Sequence, residues 1–501
     1  MARYSYERLS AQDNSFLMVE SPKTHMHVAS TLIYEAGPLR TSDGGIDFDR
    51  IKRATEAYLH RIPRYRQKLH MIPLEGGAVW VDDRHFSLDY HVRHSALPRP
   101  GNDGQLKKLA SRIMAMPLDR SRPLWETWVV EGLEGDRFAV ITKIHHCMID
   151  GSSGVDVAQI MMTTTPNREI GDIPRYLPRR APSNTELLRD ELWRRAALPA
   201  QLVGDFREFM SQADDFRGEL SSRLGVLANL FGMAPNADET PLNGSNGPHR
   251  SFDWLTVDLA DMKALRRSLD CTINDVVLTI VTGAVRSYLL QRGVNPKQID
   301  FRVSTPVSMR KESERGALGN RVSSWILFLP IGEDDPREQL RSIHQTTQEL
   351  KDSRQALGVE MMMQVAEWTP SILLSLGAQA ISGPINSIVT NVPGPQFPLY
   401  LQGAKLEAIY PQVPLLGGLG VGIALMSYNG RVCWGFNADP DIVPDVGDFT
   451  RLVSESLARV AQAAGVELQS EFARPSAGQS SESGKARRTS AAASNGSPPV
   501  P

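Results

Sequence analysis

From residue 137 to 146 the chain reads RFAVITKIHH, an apolar and β-branched run bounded by turn formers, which predicts a strand. Side chains alternate between the faces of a strand. Phe138, Val140, Thr142, Ile144 and His146 are therefore expected on one face, with Ala139, Ile141, Lys143 and His145 on the other. HVASTLIYEA near residue 27 predicts a second strand, while FDRIKRATEAYLHRI and QLKKLASRIMAMPL carry the three-to-four-residue apolar spacing of helices. Farther on, DMKALRRSLDCTINDVVLTIVTGAVRSYLLQRG predicts a long helical stretch, and RVSSWILFLP and RVCWGFNAD predict strands. A last helix turns Phe449, Leu452, Val453 and Val460 toward a core.

This alternation of periods predicts two mixed α/β domains, residues 1–165 and 249–470. Residues 166–248 separate them as a linker. That segment opens with TTTPNREIGDIPRYLPRRAPSN and closes with APNADETPLNGSNGP, both rich in turn formers. Between these ends, Leu202, Phe206, Phe209 and Met210, then Leu220, Leu224, Leu227 and Phe231, form stripes of amphipathic helices that would pack on the domains or meet a lipid surface. Residues 471–501, dominated by Ser, Ala, Gly and Pro, are expected to be a disordered tail.

With 501 residues the chain is long enough for several cores, and a formal net charge of −2 gives no reason to expect a nucleic-acid partner. Cys147, Cys271 and Cys433 are too dispersed for a disulfide framework or a zinc module, which suits reducing cytoplasm. The N-terminus lacks the apolar core of a secretory signal, so no export is expected. Two uncharged stretches, Thr369 to Ala404 and Ala408 to Gly430, are long enough to span a bilayer. Their prolines and the run GGLGVG would break a spanning helix, and they are read as buried strands and loops lining an apolar cavity.

The candidate chemistry lies in KIHHCMIDGSSG. A histidine at a strand end beside a Gly-bearing turn is suited to take a proton near neutral pH. Asp150, four residues after His146, would either orient the imidazole or hold the turn through an arginine. No GxSxG elbow supplies a serine nucleophile, so direct transfer between two bound substrates is preferred to a covalent intermediate. Adjacent strand histidines face opposite ways, which argues against a shared metal ion.

HHxxxDG, here His145, His146, Asp150 and Gly151, resembles the signature of the CoA-dependent acyltransferase superfamily, which includes chloramphenicol acetyltransferase and peptide-synthetase condensation domains. LSAQDNSFL, PLWE, ND at 274 and 275, PVSMR, GNRVSS and NVPGP, in order from about residue 7 to 465, narrow the likeness to the bacterial wax ester synthase / acyl-CoA:diacylglycerol acyltransferase family. The resemblance implies two chloramphenicol acetyltransferase-like α/β domains with the active site between them. It implies transfer of a long-chain acyl group from acyl-CoA, as co-substrate, to diacylglycerol or a fatty alcohol, with no bound cofactor or metal. His146 would be the general base and His145 a supporting residue. Asp150 would pair with Arg66, or with Arg310 as runner-up. Asn274 and Trp125 would contact substrate, although a Trp in an apolar setting also suits a core and an Asn-Asp pair suits a helix cap. Burying an acyl chain is worth up to ~0.8 kcal/mol per methylene, which fits the uncharged stretches. Two other readings share this scaffold: a condensation-type enzyme using a carrier protein, and an inactive protein on the surface of lipid bodies. The expected location is the cytoplasm, peripheral to the inner membrane or lipid bodies.

Overall fold

The computed structural model describes residues 6–73, 77–148, 160–194, 237–308, 322–352 and 385–470. The expected linker helices around residues 202–231 and the tail lie outside them. Two six-stranded sheets carry the two halves. The first runs Tyr400–Leu401, Ala404–Gln412, His27–Glu35, Arg137–His145, Trp125–Leu133, Val92–Ala96. The second runs Val322–Phe328, Arg302–Ser308, Ser387–Pro393, Val421–Tyr428, Arg431–Ala438, Ser251–Asp258. A small sheet of Glu7–Arg8, Ala78–Asp82 and Gln67–Met71 completes the first half. The mixed α/β class expected from the sequence holds in both halves.

Local chemistry sets the helix ends. Asp47 accepts from the Arg50 amide at 3.0 Å to start Phe48–Tyr58, and Asn102 with Gln105 forms a capping box for Asp103–Ala115. The run expected as one helical stretch from 261 is two helices, Leu259–Ser268 and Ile273–Gln291. Asp270 takes a left-handed backbone, φ 48°, and Thr272 and Asp275 cap the second helix reciprocally, so the chain restarts there. Ile273–Gln291 is long and apolar enough to cross a membrane, yet its window is 72% buried as the central helix of the second core.

The halves exchange chain. Residues 404–412, from the second half of the sequence, pair antiparallel with His27–Glu35 in the first sheet, so the boundary expected at 249–470 does not follow the sheets. Residues 237–248, expected as linker, belong with the second half: Leu242 is buried in its core, and the Asn246 amide donates to the Leu419 carbonyl at 2.8 Å. Turn-forming composition marks an irregular backbone, not a free one. The described parts of the two uncharged stretches are strands and loops, as expected, with Val421–Tyr428 at the centre of the second sheet.

The exchanged strand is wedged between sheets. Tyr410 stacks on Trp254 with centroids 4.6 Å apart and shares a 3.0 Å hydrogen bond with Thr256. Gly435 lies against the Pro411 carbonyl so closely that a methyl group there would sit 1.9 Å from the oxygen. Gly435→Ala is therefore expected to cost about 1–3 kcal/mol of stability, read from the midpoint of urea unfolding. An unchanged midpoint would mean the strand does not press on that glycine.

Lys143 shares its strand face with His145 and is fully buried. Its ammonium donates to the carbonyls of Ile113 and Met116, both at 2.9 Å, capping helix Asp103–Ala115, and lies 3.6 Å from Glu126 of the PLWE segment. Burial pulls its pKa down to about 8, against the opposing pull of Glu126. A lysine depressed in the fold binds fewer protons folded than unfolded between pH 8 and 10.5, so its contribution to stability increases with pH across that window. Wild type should gain stability relative to Lys143→Met from pH 8 to 10.5 in parallel urea titrations. A relative loss over that window would contradict the assignment.

Candidate active site

The strand carrying the paired histidines ends at His145, and His146–Met148 form a single 3₁₀ turn. Here the structure corrects the strand phase expected for His146: it is a turn residue, and its backbone conformation rather than strand alternation aims the ring. Two hydrogen bonds define that turn. The His146 amide donates to the Met26 carbonyl at 2.8 Å, and the Cys147 amide donates to His145 Nδ1 at 3.1 Å. Accepting at Nδ1 leaves the proton of a neutral His145 ring on Nε2.

The His146 imidazole is partly exposed and packs against Phe16, centroids 4.1 Å apart at 34°. Phe16 comes from helix Ala11–Met18, the LSAQDNSFL segment, which Ser10 starts by accepting from the Asp13 amide at 3.0 Å. That segment thus folds as a helix bearing on the histidine turn.

Behind the turn, His145 is 1% exposed and its Nε2 faces Glu20 Oε1 at 3.4 Å. His27 Nε2 and His25 Nδ1 approach the same oxygen at 3.6 and 3.8 Å. Arg120 donates to the other carboxylate oxygen, and the Met26 amide donates to Oε1 at 3.0 Å. Burial alone would raise the Glu20 pKa, but the hydrogen bond and charge of His145, with Arg120 and His27, hold it well below the usual carboxylate range. Burial likewise pushes His27 well down and His25 down. A cavity of about 350 Å³ borders this cluster, lined among others by Glu20, His25, His27, Arg120 and His145. Among the described residues no group of three such side chains is arranged to hold a metal ion.

The other expected site residues spread more widely. Trp125 is 1% exposed, stacked between Tyr65 and His91 at 4.7 and 4.6 Å, with its indole N–H donating to the Tyr65 carbonyl at 2.9 Å. It occupies the core that also holds Cys147 and Met148, so the turn rests on it. The buried Arg66 sets its guanidinium 4.9 Å above the Tyr176 ring and forms no ion pair among the described residues. Asp150, Gly151 and Arg310 lie outside those residues, so neither pairing for Asp150 can be drawn.

Asn274 sits in the first turn of helix Ile273–Gln291, half-buried, but Thr272 and Asp275 do the capping. Asp275 is buried and accepts from His344 Nδ1 at 2.8 Å and Thr347 at 2.9 Å. Burial opposes ionisation of Asp275, and these donors outweigh it, lowering its pKa.

Sequence reasoning missed Phe16 as a packing partner, and with it Glu20, His25 and His27. The signal was present as HMH at 25–27 opening a strand, since His27 pairs in register with His145.

Comparison with known proteins agrees with the resemblance drawn from the motifs. Residues 9–277 match the wax ester synthase/diacylglycerol acyltransferase catalytic domain, and residues 318–461 match the C-terminal domain of the same family. A Mycobacterium tuberculosis protein named a diacylglycerol O-acyltransferase is 31% identical over 472 residues, covering 90% of this chain and 95% of its own. Another from the same organism, of the same name, is 30% identical over 479 residues, covering 92% and 97%. The wax ester synthase/diacylglycerol acyltransferase of Marinobacter aquaeolei superposes with a TM-score of 0.65 at 24% identity, over 92% of this chain and 100% of that one. The first condensation domain of the calcium-dependent antibiotic synthetase superposes with a TM-score of 0.58 at 15% identity, over 92% and 97%, a likeness of fold alone. With both family domains matched in order and the paired histidines inside the catalytic one, the chain belongs to the wax ester synthase/diacylglycerol acyltransferase family.

Proposed function

We propose that this protein transfers a long-chain fatty acyl group from acyl-CoA to the free hydroxyl of diacylglycerol, releasing CoA and triacylglycerol, with fatty alcohols as a second class of acceptor. The observation that carries this reading is the match to both family domains, with His145 and His146 inside the catalytic one. His146 takes the proton of the acceptor hydroxyl as its oxygen attacks the thioester carbonyl. The carbon–sulfur bond then breaks, and the proton passes from the imidazolium to the departing CoA thiolate. Acid–base catalysis of this kind needs a positioned imidazole and a site that holds both substrates.

Purified protein given palmitoyl-CoA and diolein should release free thiol and form triacylglycerol together. Failure to release CoA with any diacylglycerol or long-chain alcohol would overturn the proposal.

Residue roles follow from the same reading. His146→Ala should stay folded and lose about 10² to 10⁴ in kcat, the usual worth of a general base. His145→Ala should lose less activity but melt lower, since it strips the Cys147 amide and Glu20 of a partner. Asn274 has no side-chain partner among the described residues and is assigned to the acyl oxygen; Asn274→Ala should lower kcat about 10- to 100-fold at an unchanged melting temperature. Steady-state acyl transfer and thermal melts of the three variants check this. A stable, inactive His145→Ala beside an active His146→Ala would exchange the two assignments.

The acceptor resides in lipid, so the proposal extends to a cytoplasmic protein that is peripheral to the inner membrane or to lipid bodies. Leu192 and Trp193, 69% and 72% exposed, support such contact just ahead of the segment with amphipathic stripes. Replacing both by serine should reduce flotation with diolein-containing liposomes; equal flotation would remove these residues from the contact.

A further inference from the structure

Both backbone amides that shape the catalytic turn are held by groups that meet one carboxylate oxygen. The His146 amide bonds to the Met26 carbonyl at 2.8 Å, and the amide of that same Met26 donates to Glu20 Oε1 at 3.0 Å. The Cys147 amide bonds to His145 Nδ1 at 3.1 Å, and the far nitrogen of that ring faces Glu20 Oε1 at 3.4 Å. Arg120 holds the second carboxylate oxygen, and also donates to the Leu17 carbonyl at 3.1 Å, next to Phe16. Phe16 in turn packs on the His146 ring.

From this convergence we propose that Glu20 is the positioning residue of the catalytic turn: through Met26 and His145 it sets the backbone at 146 and 147, and so the aim of the His146 imidazole. Glu20 touches no reacting atom in this scheme. Its side chain is only 9% exposed, and a carboxylate so enclosed persists only with partners that satisfy it. The five groups converging on it are the amide of Met26, the rings of His25, His27 and His145, and the guanidinium of Arg120. The Met26 amide and Arg120 donate hydrogen bonds to its two oxygens while the three imidazoles lie 3.4 to 3.8 Å from Oε1, a combination of two acceptors and a charge that an alcohol or a smaller side chain at this position would not provide. A misaimed general base lowers the rate of the chemical step without weakening substrate binding.

The proposal deepens the acyltransferase reading and rests on it for the kinetic measurement only. The first measurement is activity-independent: amide hydrogen exchange of peptides covering residues 137–148 in the full-length protein. Glu20→Ala should speed exchange at His146 and Cys147 by about tenfold or more, while the distant strand Arg431–Ala438 keeps its wild-type protection. In the acyl-transfer assay Glu20→Ala should lower kcat about 30-fold with KM for palmitoyl-CoA and diolein within about twofold of wild type. Glu20→Gln keeps an oxygen for the Met26 amide and should recover most of that kcat, to within about fivefold of wild type. If Glu20→Ala fails to fold, Arg120→Met, at a half-exposed residue, should still lower kcat about threefold at unchanged KM and loosen the same two amides. Unchanged exchange at His146 and Cys147 in folded Glu20→Ala or Arg120→Met would overturn the proposal, as would a loss expressed in KM alone. Faster exchange in Glu20→Ala, with a wild-type protein that itself shows no acyl transfer, would instead leave the positioning role standing and count against the acyltransferase reading.

Discussion

The antiparallel pairing of His27–Glu35 with Arg137–His145 is the constraint on which the rest depends. Its register places His27 opposite His145 at one end and Glu35 opposite Arg137 at the other, so the strand that carries the motif is fixed along its whole length before it turns. A one-residue slip would flip every side chain to the opposite face, exposing Ile141 and burying Thr142. The first sheet grows outward from this pair, with Trp125–Leu133 on one side and the exchanged strand Ala404–Gln412 on the other. The exchanged strand therefore docks on the edge that the histidine strand's partner presents, and the second half is tied to the first through the element next to the site.

Buried polar groups locate the site by the same pairing. Lys143 and His145 point into the same layer, which would be an expensive place for two ionisable groups if either lacked partners. Each has them. Lys143 satisfies the open end of a helix and faces Glu126, while His145 faces Glu20 and accepts from the Cys147 amide. The hydrogen bond from the Cys147 amide to the enclosed His145 ring restrains the turn, as a general base requires. His146, the proposed base, is partly exposed, and His145 beside it is enclosed. That difference in burial, more than their shared motif, supports assigning them different roles.

Much of this was legible in the sequence, and the parts that were not share a cause. Strand 137–145 and helices 48–58, 103–115 and 446–464 follow the period of their apolar residues, because each buries one face or one stripe against a sheet. His146 was legible as the candidate base because a motif preserves spacing within a few residues. The exchanged strand was not, since residues 406 and 34 meet across most of the chain and nothing local records the pairing. The break at Asp270 was hidden by the continuous apolar period on both sides of it, although Thr272 followed three residues later by Asp275 is a capping pattern. Glu20 was overlooked for another reason. A lone glutamate just past the end of a helix, followed by Ser-Pro-Lys, reads as solvated, and only the fold shows three imidazoles and a guanidinium converging on it.

The exchange of chain between halves also bears on how such a site meets two lipidic substrates. A cleft between two independent domains would open and close with their relative motion, as is the default for weak interdomain contacts. Here Trp254 and Tyr410 stack across the join, Lys107 sits 4.6 Å over the Trp254 ring while pairing with Asp253, and a strand from one half completes the sheet of the other. The join is consequently part of the core, as the mixed cluster of Ile33, Ile141, Phe252, Ala408 and Cys433 shows. A rigid join holds the first sheet, and with it the histidine turn, in constant relation to helix Ile273–Gln291, whose first turn bears Asn274.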